Sequence, residues 1–264
     1  MLRQRVLTVL IVLPAFLGAL FWLPRPLWGA AMLLVVLLAC IEWAKLASLQ
    51  GVGRTLFTIA VFVGCIMAPF AQSATGGLAL LAAGVAFWIG VAPLWLVGNL
   101  RATPGRLAVA GWVVLVCAWY ALYLLQVNPA RLLALLAVVW IADSAAYFAG
   151  RRFGQHKLAP TISPGKTWEG VIGAALAVGV YYALLWLLVA PHFLGSNLAG
   201  DLLLVGGITM LSVEGDLFES WMKRRVALKD SGSILPGHGG VLDRIDGAVA
   251  VLPLAALTTV VLNV

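Results

Sequence analysis

Charge is what this sequence lacks most. Only 10% of its 264 residues are Asp, Glu, Lys or Arg, against 63% Ala, Val, Ile, Leu, Met, Phe, Trp, Tyr and Cys. A soluble domain carries about 25% charged residues. A water-soluble globule and a disordered regulator are both excluded, because neither survives with so little polar surface. Cysteine is scarce too. Cys40, Cys65 and Cys117 are odd in number, share no CxxC spacing and lie inside apolar runs, which excludes a disulfide framework and a structural zinc site and leaves buried packing as their role. The three histidines, His156, His192 and His238, have no metal-ligand spacing. Acids are missing from one half: of ten Asp and Glu, Glu42 alone precedes residue 143. The N-terminal half therefore reads as scaffold and the C-terminal half as the seat of chemistry.

Long apolar runs are what the chain has instead. Nine stretches stand out, at 6–23, 27–41, 55–70, 78–98, 107–125, 132–149, 170–190, 202–219 and 245–262. Most reach the ~17–25 residues that cross a bilayer as a helix, although the second and third are short. The expected fold is an all-α polytopic integral membrane protein of about nine transmembrane helices with a cytoplasmic N-terminus. Arg3 and Arg5 before the first run resemble a signal peptide, but the run continues into Trp22-Leu23-Pro24-Arg25 without a clear cleavage site and is read as a retained span. With the N-terminus inside and the spans alternating, 15 of the 17 Lys and Arg fall on the cytoplasmic side and only Arg25 and Arg131 outside, as the positive-inside rule requires. Most of the eleven Trp flank spans and read as interfacial belts. His192 lies on the outer side, whereas His156 and His238 lie where a polar ligand could reach them. Residues 1–130 form an expected scaffold of about five spans. Residues 131–264 form an expected catalytic region of about four, with cytoplasmic loops 150–169 and 221–244.

Asp143 sits some six residues inside the cytoplasmic end of the sixth run, about 9 Å at 1.5 Å per residue. An ionised side chain there costs at least ~2.5–3.5 kcal/mol, so it needs a partner or a task. On the eighth run, Ser212, Asp216, Glu219, Ser220 and Lys223 recur at helical spacing as one polar stripe; Glu219 and Lys223 also suit a simple i,i+4 ion pair. In the loop that follows, Gly237, Gly239 and Gly240 permit unusual backbone and leave main-chain N–H groups free to cradle an anion. Asp243 and Asp246 come next, one helical turn apart, a pairing suited to a hard cation. In the loop before the seventh run, Gly165-Lys166-Thr167 resembles the end of a P-loop, but Pro160 stands where the motif needs Gly and no strand is expected before it. A Walker A site is rejected, while Lys166 and Thr167 still precede a helix N-terminus that attracts phosphate.

The C-terminal motifs resemble a known family. Ser220-Trp221-Met222-Lys223-Arg224, Lys229-Asp230-Ser231-Gly232 and the run from Leu235 to Asp246 closely resemble the signature of the phosphatidate cytidylyltransferases, also called CDP-diacylglycerol synthases. The likeness extends to 215–220, to Ser163–Gly170 and to Asp143–Arg151, covering roughly 140–250 in order. Gly165 stands where many members have a second Lys, and Gly247 where many have Ser.

The resemblance implies a nucleotidyltransferase that joins CTP and phosphatidate into CDP-diacylglycerol and pyrophosphate for phospholipid synthesis, in a bacterial cytoplasmic (inner) membrane, as a homodimer. Magnesium is the expected cofactor, held by Asp216, Asp243 and Asp246, and a second, monovalent ion is left open. These three acids and Lys223 are the expected catalytic residues. Ser220 is a further oxygen ligand, and Lys166, Thr167, Arg224, Lys229 and Arg244 are expected phosphate contacts. Gly237, His238, Gly239 and Gly240 would shape the nucleotide pocket, with Asp143 facing the same cavity. Nucleic acid is not an expected partner, because the basic residues serve orientation and phosphate chemistry. A CDP-alcohol phosphotransferase fails on Ala250-Val251 and the absence of any acid after Asp246. An ion-coupled transporter is the alternative of a different class; it would place its polar groups near the midplane between repeats, whereas here they gather at the cytoplasmic ends of four runs.

Overall fold

Polar caps and prolines set where the helices begin. Thr103, Asn128, Thr167 and Asn197 each accept a hydrogen bond from the backbone N–H three residues on, and proline opens three helices, where its missing N–H costs nothing. In the computed structural model, which describes residues 2–72, 75–98, 100–190, 193–194, 197–234, 237 and 239–262, each of the nine apolar runs becomes one helical rod. The rods are α1 (Leu2–Trp22), α2 (Arg25–Leu46), α3 (Gly51–Ala71), α4 (Gly76–Leu96), α5 (Pro104–Leu125), α6 (Pro129–Phe153), α7 (Trp168–Leu188), α8 (Leu198–Arg225) and α9 (Leu242–Leu262). Among the described residues, the eight from α2 to α9 are long and apolar enough to cross a membrane, and Thr8–Trp22 of α1 is a shorter apolar helix. In α4, the stretch Phe87–Val91 widens into a π-helical turn just before Pro93, a common way to absorb a proline inside a span.

The helices overrun the apolar stretches at the end rich in Lys and Arg. α2 continues through Glu42 and Lys45, and α8 runs 28 residues, roughly 42 Å at 1.5 Å per residue, well beyond the ~30 Å hydrocarbon core. Its last turns carry the charged residues Glu219, Lys223, Arg224 and Arg225. Long-range contacts sort into two groups that match the alternating topology. Arg225 Nη2 donates to Ala102 O, and Val241 and Leu242 donate to Glu42, at one end; at the other, Gln126 Nε2 donates to Leu23 O and Arg131 Nη2 to Leu194 O.

Two features depart from expectation. A short antiparallel hairpin, β1 (Lys157–Ala159) and β2 (Ser163–Thr167), pairs Lys157 with Thr167 between α6 and α7. Lys166 therefore does follow strand structure, although the chain still lacks the P-loop glycine. The tryptophans are also less interfacial than expected: Trp28, Trp43, Trp88, Trp95 and Trp119 are buried. Trp28, Trp43 and Trp119 can be buried because their indole N–H groups donate to the Leu122, Leu107 and Gly29 carbonyls. Phe218 of α8 sits at the centre of an aromatic cluster with Trp43, Phe87, Trp88, Trp95 and Trp221, which ties α8 to α2 and α4. The three cysteines are buried and free.

α9 packs against α8 on one side and α4 and α5 on the other, so it rests directly on the first half of the chain. α8 and α9 approach closely at Gly215, where a Cβ would collide with the Asp246 backbone and lie 2.9 Å from Ala250 Cβ. That approach brings the acids of both helices to one level.

Candidate active site

Four elements bring acids together at the Lys- and Arg-rich end. Lys166, projected by β2, forms an ion pair with Asp216 Oδ2 at 2.7 Å and donates to the Val213 carbonyl at 3.1 Å. Ser220, one turn beyond Asp216, donates to its Oδ1 at 3.3 Å. Asp143 of α6 accepts from Ser212 Oγ at 3.2 Å. Asp246 of α9 lies within electrostatic reach of Asp216, Asp143 and Lys166, and its Oδ1 accepts from Gly247 N at 2.8 Å. Asp143 is exposed although it stands within a membrane-crossing helix, so the cluster is open along the α6 flank rather than sealed in the bundle.

A second cluster adjoins the first. Lys223 bridges Glu219 Oε2 at 2.5 Å and Asp243 Oδ1 at 2.6 Å. The other oxygen of Asp243 accepts from Ser231 N (3.0 Å), Ser231 Oγ (3.0 Å) and Gly240 N (2.8 Å). Glu42 of α2, buried, accepts from Ser231 Oγ at 2.9 Å, Val241 N at 3.0 Å and Leu242 N at 2.8 Å. The glycine-rich loop is thus an anion nest as its composition suggested, but the anions seated in it are the protein's own carboxylates. Gly239 adopts φ +86°, and a Cβ there would lie 2.8 Å from Asp243 Oδ2; any other residue would be strained and would crowd the carboxylate.

The expected site residues fall into three groups. Asp143, Lys166, Asp216, Ser220 and Asp246 form the first cluster, and Lys223, Asp243 and Gly240 form the second. Thr167 is committed to structure: it is buried, and its hydroxyl caps α7 by accepting from Gly170 N at 3.2 Å. Arg224 donates to Ile162 O at 3.4 Å and borders a cavity of about 460 Å³ that Trp95, Trp221, Thr161 and Arg225 also line. Lys229 and Arg244 are exposed at the same end, and Gly237 has φ +78°. His238 lies outside the described residues, as does His192. His156 Nδ1 lies in hydrogen-bond contact with Glu169 Oε1 at 2.6 Å, which ties the hairpin to the start of α7. Glu42 is the participant the residue pattern did not single out; its signal was being the one acid in an otherwise acid-free half.

The first cluster suits a hard cation. Asp143, Asp216 and Asp246 supply carboxylate oxygens, Ser212 and Ser220 add hydroxyls, and Lys166 offers one positive charge against the three acids. Among the described residues no three His, Cys, Asp or Glu side chains close into a ready cage. A hard cation such as Mg²⁺ needs no closed protein cage, since it keeps several waters and binds through one or two carboxylates plus substrate phosphates.

Comparison with known proteins defines the class. A model of the cytidylyltransferase family matches residues 3–262, and the chain belongs to that family. It is 39% identical to a phosphatidate cytidylyltransferase of Pseudomonas aeruginosa, over 97% of this chain and 96% of the relative. It is 35% identical to a protein of the same name from Haemophilus influenzae, over 96% of each. A third, from Thermotoga maritima, is 42% identical over 52% of this chain and 51% of its own length.

Proposed function

We infer that the protein transfers the cytidylyl group of CTP to phosphatidate, giving CDP-diacylglycerol and pyrophosphate. The observation that carries this reading, beside family membership, is the convergence of Asp143, Lys166, Asp216, Lys223, Asp243 and Asp246 from α6, the hairpin, α8 and α9 at one end of the bundle. The same convergence disfavours an ion-coupled transporter, whose site belongs near the bilayer midplane.

The lipid phosphate is the nucleophile. Its second pKa is about 6, so it is already largely ionised at pH 7 and needs no strong general base. One of its oxygens forms a bond to the α-phosphorus of CTP as the α–β bridge breaks, and the electron pair leaves with pyrophosphate. What the protein must supply is charge neutralisation and alignment. Lys166, now neutralised by Asp216, stands ready to exchange that carboxylate for a nucleotide phosphate, and Arg224, Lys229 and Arg244 extend positive charge across the same face. Lys223 is held rigid by Glu219 and Asp243 and offers a fixed charge beside the transfer site. Asp216 and Asp246 would hold Mg²⁺, with Asp143 facing them; Asp243 would join only by giving up Lys223. When bound, the ion neutralises phosphate charge and screens the nucleophile from the nucleotide. The exposed flank at Asp143 gives the lipid head group lateral entry, while the 460 Å³ cavity beside Arg224 opens at the end from which CTP would arrive.

The placement of Lys and Arg supports a multi-pass orientation in a bacterial cytoplasmic membrane with this end in the cytoplasm, and the family resemblance supports a homodimer. The test is to supply the purified protein in detergent with CTP, phosphatidate and Mg²⁺ and measure pyrophosphate. Release that requires both substrates supports the reading. Substrate-driven ion flux in liposomes without pyrophosphate would replace it with the transporter.

A further inference from the structure

We propose that Glu42 is a positioning residue for the cytidylyl transfer, fixing the glycine-rich loop and Asp243 from the opposite half of the chain. Glu42 lies on α2, nearly 200 positions from the loop it holds, and is 3% exposed. Its carboxylate takes Val241 N, just before α9, and Leu242 N, the first amide of the helix. A helix start leaves such amides without intrahelical partners, and its dipole favours an anion there. Glu42 thus does from another helix what an N-cap residue does locally.

The loop is built around this carboxylate. A Cβ on Gly232 would lie 2.8 Å from Glu42 Cδ, and one on Gly240 would lie 2.5 Å from Glu42 Oε2, so both glycines are needed to admit it. Ser231 Oγ stands 2.9 Å from Glu42 and 3.0 Å from Asp243. Its one proton is shared between the two carboxylates, which, with Gly240 N on Asp243, links them into one network, and Asp243 in turn aims Lys223. Two consequences follow. The amides of Gly240, Val241 and Leu242 are occupied from within, by the protein's own carboxylates. The orientation of Lys223 depends on a residue of the first half of the chain, so that half does more than support. The inference rests on the assignment of Lys223 and Asp243 to the reaction centre.

The test uses the full chain in detergent. Turnover against CTP concentration, thermal unfolding and hydrogen exchange over residues 229–242 are measured for Glu42→Gln, Glu42→Asp, Ser231→Ala and Asp243→Asn. Glu42→Gln keeps the shape but turns an N–H donor toward donors. It is expected to lower kcat about ten- to a hundredfold, the usual loss when an outer-shell partner is removed, and to speed exchange in the loop while exchange in the helices holds. Glu42→Asp, shorter but still charged, should recover part of the loss. Wild-type kcat and KM in Glu42→Gln would overturn the proposal, as would a loss of kcat with loop exchange unchanged. Should Glu42→Gln fail to fold, Ser231→Ala removes only the shared hydroxyl and carries the same test, with wild-type turnover and exchange as the contrary result. Asp243→Asn separates the two claims. Full turnover in that variant removes the assignment of Asp243 on which the proposal stands. An inactive Asp243→Asn beside a normal Glu42→Gln removes only the role of Glu42.

Discussion

Lys166 and Asp216, fifty positions apart, meet at 2.7 Å across the gap between the β-hairpin and the eighth helix. The pair joins the loop that precedes α7 to the most deeply placed acid on the α8 stripe.

Removing that charge should weaken the nucleotide step. A hydrogen bond to a charged group is worth about 1.5–3 kcal/mol, and each 1.4 kcal/mol is roughly tenfold. Lys166→Met is therefore expected to lower kcat/KM for CTP by about ten- to a hundredfold, read from initial rates of pyrophosphate release, with Lys166→Arg retaining more activity than Lys166→Met.

Lys223 should matter to stability as well as to turnover. It is 13% exposed and pairs with Glu219 and Asp243, whose side chains are 4% and 5% exposed. Breaking a buried ion pair from one side costs roughly 3–5 kcal/mol, because the remaining charge is stranded. Lys223→Met should lower the unfolding temperature in detergent, and adding Glu219→Gln to it should restore part of the loss by removing one stranded carboxylate.

The opposite end of the bundle provides a contrast. Tyr182 of α7 donates to the fully buried Asp201 of α8 at 2.7 Å, and Arg131 of α6 donates to the Leu194 carbonyl nearby. Tyr182→Phe leaves an acceptor short of a partner at a cost of about 1–3 kcal/mol. Thermal unfolding should register that cost while kcat and KM for CTP stay at wild-type values, since the contact lies across the membrane from the acids.

Chelation should stop the reaction. With EDTA in excess, pyrophosphate release is expected to fall to background and to return on adding Mg²⁺. Asp216→Asn should raise the Mg²⁺ concentration needed for half-maximal rate, because it removes one of the charges that the open donor set offers the ion.

The helices were legible because a bilayer leaves the chain few choices: an apolar run of sufficient length must satisfy its own backbone, and only a helix does so within one segment. The polar stripe that carries Asp216 was legible from its helical spacing, and the structure does bring Asp216 and Lys166 together at 2.7 Å. The hairpin was not legible, because Lys157–Ala159 and Ser163–Thr167 are short, the second contains Pro164, and neither has an alternating pattern to announce it. Thr167 caps α7 by accepting from Gly170 N, a structural use of its hydroxyl that the loop pattern did not announce. Glu42 escaped notice because its partners lie some 200 residues away; periodicity reports which face a residue occupies, and only the packing of α2 beside the loop reveals what that face meets. Asp243 has the spacing of a ligand to Asp246, yet its oxygens are engaged with Lys223, Ser231 and Gly240, a commitment that spacing alone does not encode.

The claim that acids of α8 and α9 together hold a divalent cation is tested most directly by Mn²⁺ titration of the purified protein, following the free ion by electron paramagnetic resonance. Wild-type protein should take up Mn²⁺ in competition with Mg²⁺, and Asp216→Asn and Asp246→Asn should each weaken uptake by about tenfold or more, since ligand charge sets affinity at such sites. Uptake at wild-type affinity in both variants would contradict the account.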